Sequence, residues 1–241
     1  MYELFGIAAL FTATIFILGL LIRRLLRTLA ATQKTNWGKS WMNYLDALNY
    51  LFCKHYHRFQ DTQIDLPKQG PAIVVSNHLS GLDPMLLVAA THRPLRYLIA
   101  REYYEKIFGL RWMLRAMGCI PVDRYGHPEN ALRAALSALK AGEVIVVFPH
   151  GTFSLPGETR KIKRGSLWLA QKSNCQIYPV FISGIAGVGQ IVGGVLKRSH
   201  AKLVSYPPLD GCEAHDVEHL QKLLEGQVPP SDRKNTTDSA L

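Results

Sequence analysis

The chain has 241 residues, 48% of them hydrophobic and 19% charged, with a net charge of +10. This length and apolar content exclude a disordered or collagen-like chain and leave room for one sizeable core with an appendage, not several independent domains. Cys53, Cys119, Cys175 and Cys212 form no C-x-x-C pair, which argues against zinc and redox motifs and reads as free thiols in a reducing compartment.

Residues 1–60 read as a membrane-anchoring helical segment. From Leu4 to Ile22 nineteen consecutive residues are uncharged, and Arg23, Arg24 and Arg27 follow at once. As a helix this run reaches about 28 Å, near the thickness of a bilayer core, which predicts a short spanning or deeply embedded helix. The arginines belong on the cytoplasmic face, which is where the rest of the chain is then expected. Glu3 precedes the apolar run, the reverse of the flank order of a cleaved signal peptide. After Asn36, a candidate N-cap, Trp37, Trp41, Tyr44, Leu45, Leu48, Leu51 and Phe52 recur at helical spacing and make one aromatic-rich face. This second helix either lies in the headgroup layer, with Lys39, Lys54, His55, His57 and Arg58 on anionic lipid, or packs on the domain as an ordinary amphipathic helix.

Residues 61–225 read as the globular domain. Short Val- and Ile-rich runs at Pro71–Ser76, Leu95–Ala100, Gly118–Val122, Glu143–Phe148, Cys175–Ile182 and Ala201–Tyr206 predict strands. Helical patterns at Pro84–Thr91, Tyr103–Met117, Glu129–Ala141 and Gly165–Lys172 alternate with several of them. The fold class is α/β, a mostly parallel, largely buried sheet flanked by helices. Residues 226–241 are polar and proline-containing, and predict a disordered tail.

The chemistry begins where the first strand ends. In Asn77-His78-Leu79-Ser80-Gly81-Leu82-Asp83-Pro84 a histidine stands just past an apolar strand, and an aspartate follows five residues later before a proline. Asp83 is either a helix N-cap or the partner of His78. A histidine at the mouth of a sheet, with a carboxylate reaching back across a tight turn, suits a general base that takes a proton from a hydroxyl. No G-x-S-x-G elbow surrounds Ser80, so the hydroxyl is the substrate's.

These residues resemble the N-H-x-x-x-x-D block of the glycerolipid acyltransferases, whose best-known members acylate 1-acyl-glycerol-3-phosphate. Three further blocks follow in that family's order: Gly118–Arg124 resembles G-x-I-x-V-D-R, Phe148–Ser154 resembles F-P-E-G-T-R-S, and Tyr178-Pro179-Val180 resembles the late proline block. Ile162-Lys163-Arg164-Gly165 is similar to the family's F-K-x-G stretch. The resemblance covers about residues 60–210. It implies the glycerol-3-phosphate acyltransferase-like fold and acyl transfer from a thioester, acyl-CoA or acyl-carrier protein, to a glycerolipid hydroxyl at a membrane. By position it makes His78 the base, Asp83 its orienting partner and Arg124 a phosphate ligand. The same chemistry needs no metal and no cofactor, because a thioester is already activated. Gly151 and Thr152 are candidate backbone N–H donors to a phosphate or oxyanion, and His150 and Lys163 complete the candidate substrate-binding set.

The third block departs from the pattern, with His150 and Phe153 where the family has Glu and Arg. A lost arginine removes a bidentate phosphate donor. Arg160, Lys161, Lys163 and Arg164 form a basic cluster that either replaces it or touches anionic headgroups, and His150 is a second candidate cation. Lysophosphatidate is therefore the leading acceptor, with another lysophospholipid or a lyso-aminolipid as rivals. A catalytically silent lipid-binding protein is the reading outside enzymology. Nucleic acid is not an expected partner, since no reader motif is present and an apolar anchor accounts for the arginines.

Overall fold

The computed structural model describes residues 2–106, 111–155, 157–158, 160–210 and 217–229. Six strands lie in one sheet in the order β3-β2-β4-β1-β5-β6. They are β1 Ala72–Ser76, β2 Leu95–Ala100, β3 Ile120–Val122, β4 Val144–Val147, β5 Ile177–Ser183 and β6 Lys202–Ser205. Every pairing is parallel except that of β6 with β5. The mostly parallel sheet expected from the alternating texture is thus present, and all six predicted strands form within two residues of their predicted ends. Pro121 is tolerated because β3 is an edge strand, where a missing N–H disturbs one ladder only.

Helices cover both faces. They are α1 Tyr2–Thr32, α2 Ser40–Leu51, α3 Asp83–Ala89, α4 Arg101–Lys106, α5 Arg111–Ala116, α6 Pro128–Lys140, α7 Gly165–Ser173, α8 Val192–Leu196 and α9 Val217–Leu224. Every residue of β1 is buried, which explains its unbroken apolar run: Val74 packs under α2 and α3, whereas Ile73 and Val75 pack under α6, α7 and α9. Cys53, Cys119 and Cys175 are free and buried, and burial alone pushes the Cys53 thiol up to about 12; Cys212 lies outside the described residues.

The structure corrects several boundaries. Asn36 does not cap α2: its Oδ1 accepts the Gly38 N–H, Gly38 turns the chain with a φ of 74°, and the helix starts at Ser40. Beyond α2 the chain continues as one wide π-helical turn, Phe52–Tyr56. The single predicted helix Tyr103–Met117 is two short ones, α4 and α5, with 107–110 outside the described residues. Neither α8 nor α9 was expected. Of the predicted tail, residues 226–229 are described and mostly exposed, with Val228 O accepting the Tyr206 hydroxyl; residues 230–241 lie outside the described set.

Among the described residues no helix is long and apolar enough to cross a membrane. α1 nevertheless holds its large apolar side chains in the open, Leu10, Phe11, Ile15 and Phe16 among them, while one groove between α1 and α2 is lined by Ile22, Arg23, Leu26, Arg27 and Tyr44.

Candidate active site

The site forms where the parallel strands end, the edge at which open α/β sheets bind ligands. β1 stops at Ser76, and Asn77 closes it: its side-chain amide donates to Ile182 O at 2.8 Å and its Oδ1 accepts the Ile182 N–H at 2.7 Å. This buried amide takes the place of a ladder rung and fixes His78 at the strand mouth. Asn77 opens the N-H-x-x-x-x-D block, but its role as the clamp on Ile182 depends on a residue more than a hundred positions away.

His78 and Asp83 come together. His78 Nδ1 lies 2.8 Å from Asp83 Oδ2. The same oxygen accepts the backbone N–H groups of Leu79 and Ser80, and Asp83 is fully buried at the head of α3. Asp83 is therefore a partner of the histidine and a staple of the 78–83 loop. With Nδ1–H donating to Asp83, Nε2 is the free nitrogen. The Ser80 hydroxyl accepts the Leu82 N–H inside the loop and is fully buried, so it serves the turn and not the chemistry.

Aromatic rings hold the imidazole in place. Phe148, just past β4, stacks on it with centroids 4.0 Å apart at 14°, and Phe153 lies tilted at 4.5 Å. Ser154 N–H donates to His78 O at 2.6 Å, so the Phe148–Ser154 block and the His78–Asp83 loop are one unit. Tyr97 on β2 supports both: its ring faces Phe148 at 6.3 Å and its hydroxyl donates to Pro84 O at 2.8 Å. Burial raises the Tyr97 phenol well above its ordinary range, which keeps it protonated and donating.

A cavity of about 760 Å³ opens at this edge and runs between the sheet and α2, α3 and α5. His78, Arg124, Gly151, Thr152 and Phe153 line it together with apolar side chains such as Leu45, Met85 and Met113. Its size lies toward the upper end for small-molecule sites. Arg124 is the sole lysine or arginine among the lining residues; it is exposed past the end of β3 and makes no ion pair with a described residue.

Three of the expected substrate-binding residues are placed differently from what the sequence suggested. The Gly151 N–H is not free for an oxyanion, because it donates to Phe148 O at 3.0 Å and closes a turn with Gly151 at a φ of 74°. Thr152, next along, has an N–H that no described residue accepts. His150 does not line the cavity, and burial pushes its imidazolium below the ordinary histidine range, so it is a poor candidate for a permanent cation. Lys163 is outside the cavity wall as well, although its Nζ lies close over Gly151. Among the described residues no group of three or more His, Cys, Asp or Glu side chains is arranged to hold a metal.

Asp46, at the cavity wall on α2, is buried and accepts the Trp37 indole N–H at 3.2 Å. Burial raises its pKa to about 6, with the Trp37 bond opposing. A raised folded-state pKa favours the folded protein fully below the unfolded value near 3.8, and the benefit is lost as pH rises through about 6. Asp46→Asn keeps the Trp37 bond without titrating. Its melting temperature relative to the parent is expected to climb between pH 4 and pH 7, and a pH-independent difference in thermal scans would refute the assignment.

A family model described as acyltransferase matches residues 58–183, just over half of the chain. The chain is 30% identical over 118 residues to the 1-acyl-sn-glycerol-3-phosphate acyltransferase of Borreliella burgdorferi, an alignment covering 48% of this chain and 47% of that protein. It is 32% identical over 129 residues to the probable enzyme of that description from Mycoplasma genitalium, covering 51% of this chain and 47% of the other. The aligned stretch thus spans about half the length of these two curated relatives. The crystal structure of the 1-acyl-sn-glycerophosphate (LPA) acyltransferase from Thermotoga maritima superposes with a TM-score of 0.57 at 23% identity, covering 88% of this chain and 93% of that one, and shares the fold.

Proposed function

This chain belongs to the acyltransferase family, and we propose that it moves a fatty acyl group from a thioester to the hydroxyl of a lysophospholipid, with 1-acyl-glycerol-3-phosphate the leading acceptor and phosphatidic acid the product. The observation that carries the reading is the buried Asp83 carboxylate on His78 Nδ1 at the head of a large apolar cavity. His78 Nε2 takes the acceptor's hydroxyl proton as its oxygen bonds to the thioester carbonyl carbon. The developing imidazolium is stabilised by Asp83 and the oxyanion by donors such as the Thr152 N–H. Collapse of the tetrahedral intermediate breaks the carbon–sulfur bond, and the imidazolium returns its proton to the leaving thiolate. The apolar wall between α2 and α3 accommodates the acyl chain. Acyl-CoA or acyl-carrier protein is the donor in this reading.

The enzyme works at a membrane, with α1 embedded through its exposed Leu, Ile and Phe side chains and Arg23, Arg24 and Arg27 at the cytoplasmic surface. The deciding experiment offers labelled acyl-CoA and acyl-carrier protein to membranes carrying the protein, with a panel of lysolipids. Lysophosphatidate is expected to be acylated best; no acylation of any lysolipid overturns the proposal.

The Phe153 contact with His78 favours a second reading, an acceptor whose head is not a phosphate monoester, such as a lyso-aminolipid. Phe153→Arg separates the two. A charge-assisted pair is worth about 1.5–3 kcal/mol, so the variant is expected to favour phosphate-headed acceptors over neutral ones by about tenfold or more. Unchanged acceptor preference would mean that Arg124 and the Lys163 cluster already decide the headgroup.

A further inference from the structure

α8 is a five-residue helix of Val, Gly and Leu between the glycine-rich loop after β5 and the basic pair Lys197 and Arg198. It is clamped to the catalytic loop. Gly81 N–H donates to Gln190 O and Gly189 N–H to Leu79 O, while a Cβ on Gly194 would fall 2.5 Å from the Ser80 Cβ. It is also tied to the end of the π-helical turn that follows α2: the Tyr56 hydroxyl donates to Leu196 O at 2.6 Å, His57 Nε2 donates to Val195 O at 3.1 Å, and Arg198 Nε donates to Tyr56 O at 3.2 Å. The helix has two apolar sides. Ile191 and Val195 line the cavity, whereas Val192 and Leu196, one turn apart, are 67% and 65% exposed.

A helix held this rigidly has no way to turn its outer side chains inward, so Val192 and Leu196 stay in the open at a cost that only an apolar partner removes. The partner must also suit cations, because Lys197 and Arg198 stand beside them and are exposed. On α2, Trp41, Leu45 and Leu48 line the same cavity and are yet 38–52% exposed, and Trp41 meets the exposed Trp112 of α5 at 4.9 Å. Ile191 and Val195 thus share the cavity wall with Trp41, Leu45 and Leu48, and the exposed cations Arg111, Arg115, Lys197 and Arg198 stand on α5 and just past α8. Apolar tips with flanking cations and indoles at the boundary are the pattern of a bilayer surface bearing anionic phospholipid.

We propose that α8 is a second membrane contact, separate from α1, which seats the cavity mouth on anionic bilayer so that a lysolipid enters between α2 and α8 without crossing water. This rests on the membrane-enzyme reading above. It is tested on the full-length protein with an environment-sensitive fluorophore on Val192→Cys, in a background where Cys212 is serine and the buried thiols are untouched. The vesicles contain phosphatidylglycerol and phosphatidylcholine, with and without a spin label placed just below the headgroups. The expected result is at least twofold quenching at position 192 by the spin-labelled vesicles and none at Ser137→Cys, exposed on α6 across the sheet. Absent quenching at 192 with vesicle-bound protein, or equal quenching at both positions, overturns the proposal, as does a response at 192 to an acidic acyl-carrier protein alone. Acyl transfer measured on the same preparation separates the two failures. Transfer without quenching sinks this contact only, and quenching without transfer to any lysolipid sinks the enzymatic reading while the contact stands.

Discussion

Replacing His78 by alanine is expected to lower acyl transfer to a lysolipid by about 10³-fold, within the 10²–10⁴ range that a positioned base contributes. The geometry gives His78 no substitute: Ser80 is bound inside its turn, and His150 is not among the residues that line the cavity. The fold is expected to survive, because the Asp83 carboxylate keeps the Leu79 and Ser80 N–H groups and Asn77 still closes β1 onto Ile182. Initial rates with a labelled thioester, beside a thermal melt, make the measurement. A folded variant that retains a tenth or more of the parent rate would remove His78 from the proton transfer.

Asp83→Asn is expected to reduce kcat by roughly 10²–10⁴-fold, the scale seen when a carboxylate behind a catalytic imidazole loses its charge. The amide oxygen can keep the three donors that Asp83 Oδ2 now accepts, so the loop and the tautomer persist while electrostatic support for the imidazolium disappears. The other carboxylate oxygen, Oδ1, is buried without a hydrogen-bond partner among the described residues, and an NH2 group there costs about 1–3 kcal/mol of stability. A melt lowered by a few degrees with kcat unchanged would reduce Asp83 to a loop staple. The double variant adds a second criterion: if the pair acts as a unit, His78→Ala/Asp83→Asn should be no slower than His78→Ala alone.

Sequence reasoning reached the dyad because both members are local. The five-residue spacing from His78 to Asp83 is bridged by one tight loop, and the strand before it and proline after it announce that loop. Arg124 was assigned by its place in a block resembling the family's, and the structure puts it on the cavity wall. Phe153 was noticed only as a departure from a pattern; its packing on the imidazole required coordinates, since the two are 75 residues apart and meet only because β1 and β4 are neighbours. Gly151 shows the opposite error. It has the right residue type and place for an anion donor, but its N–H is spent on the turn that makes that place.

By itself, the sequence determined the strands, the α/β class, the dyad and the apolar first helix, because runs of Val and Ile, helical spacing and a strand-loop-helix junction are properties of a few adjacent residues. Tertiary structure alone decided the strand order, the cavity between α2, α3 and the sheet, the Asn77 clamp and the outward face of α8. Those depend on which distant surfaces bury one another, and burial is a property of the assembled chain that no short window of residues contains.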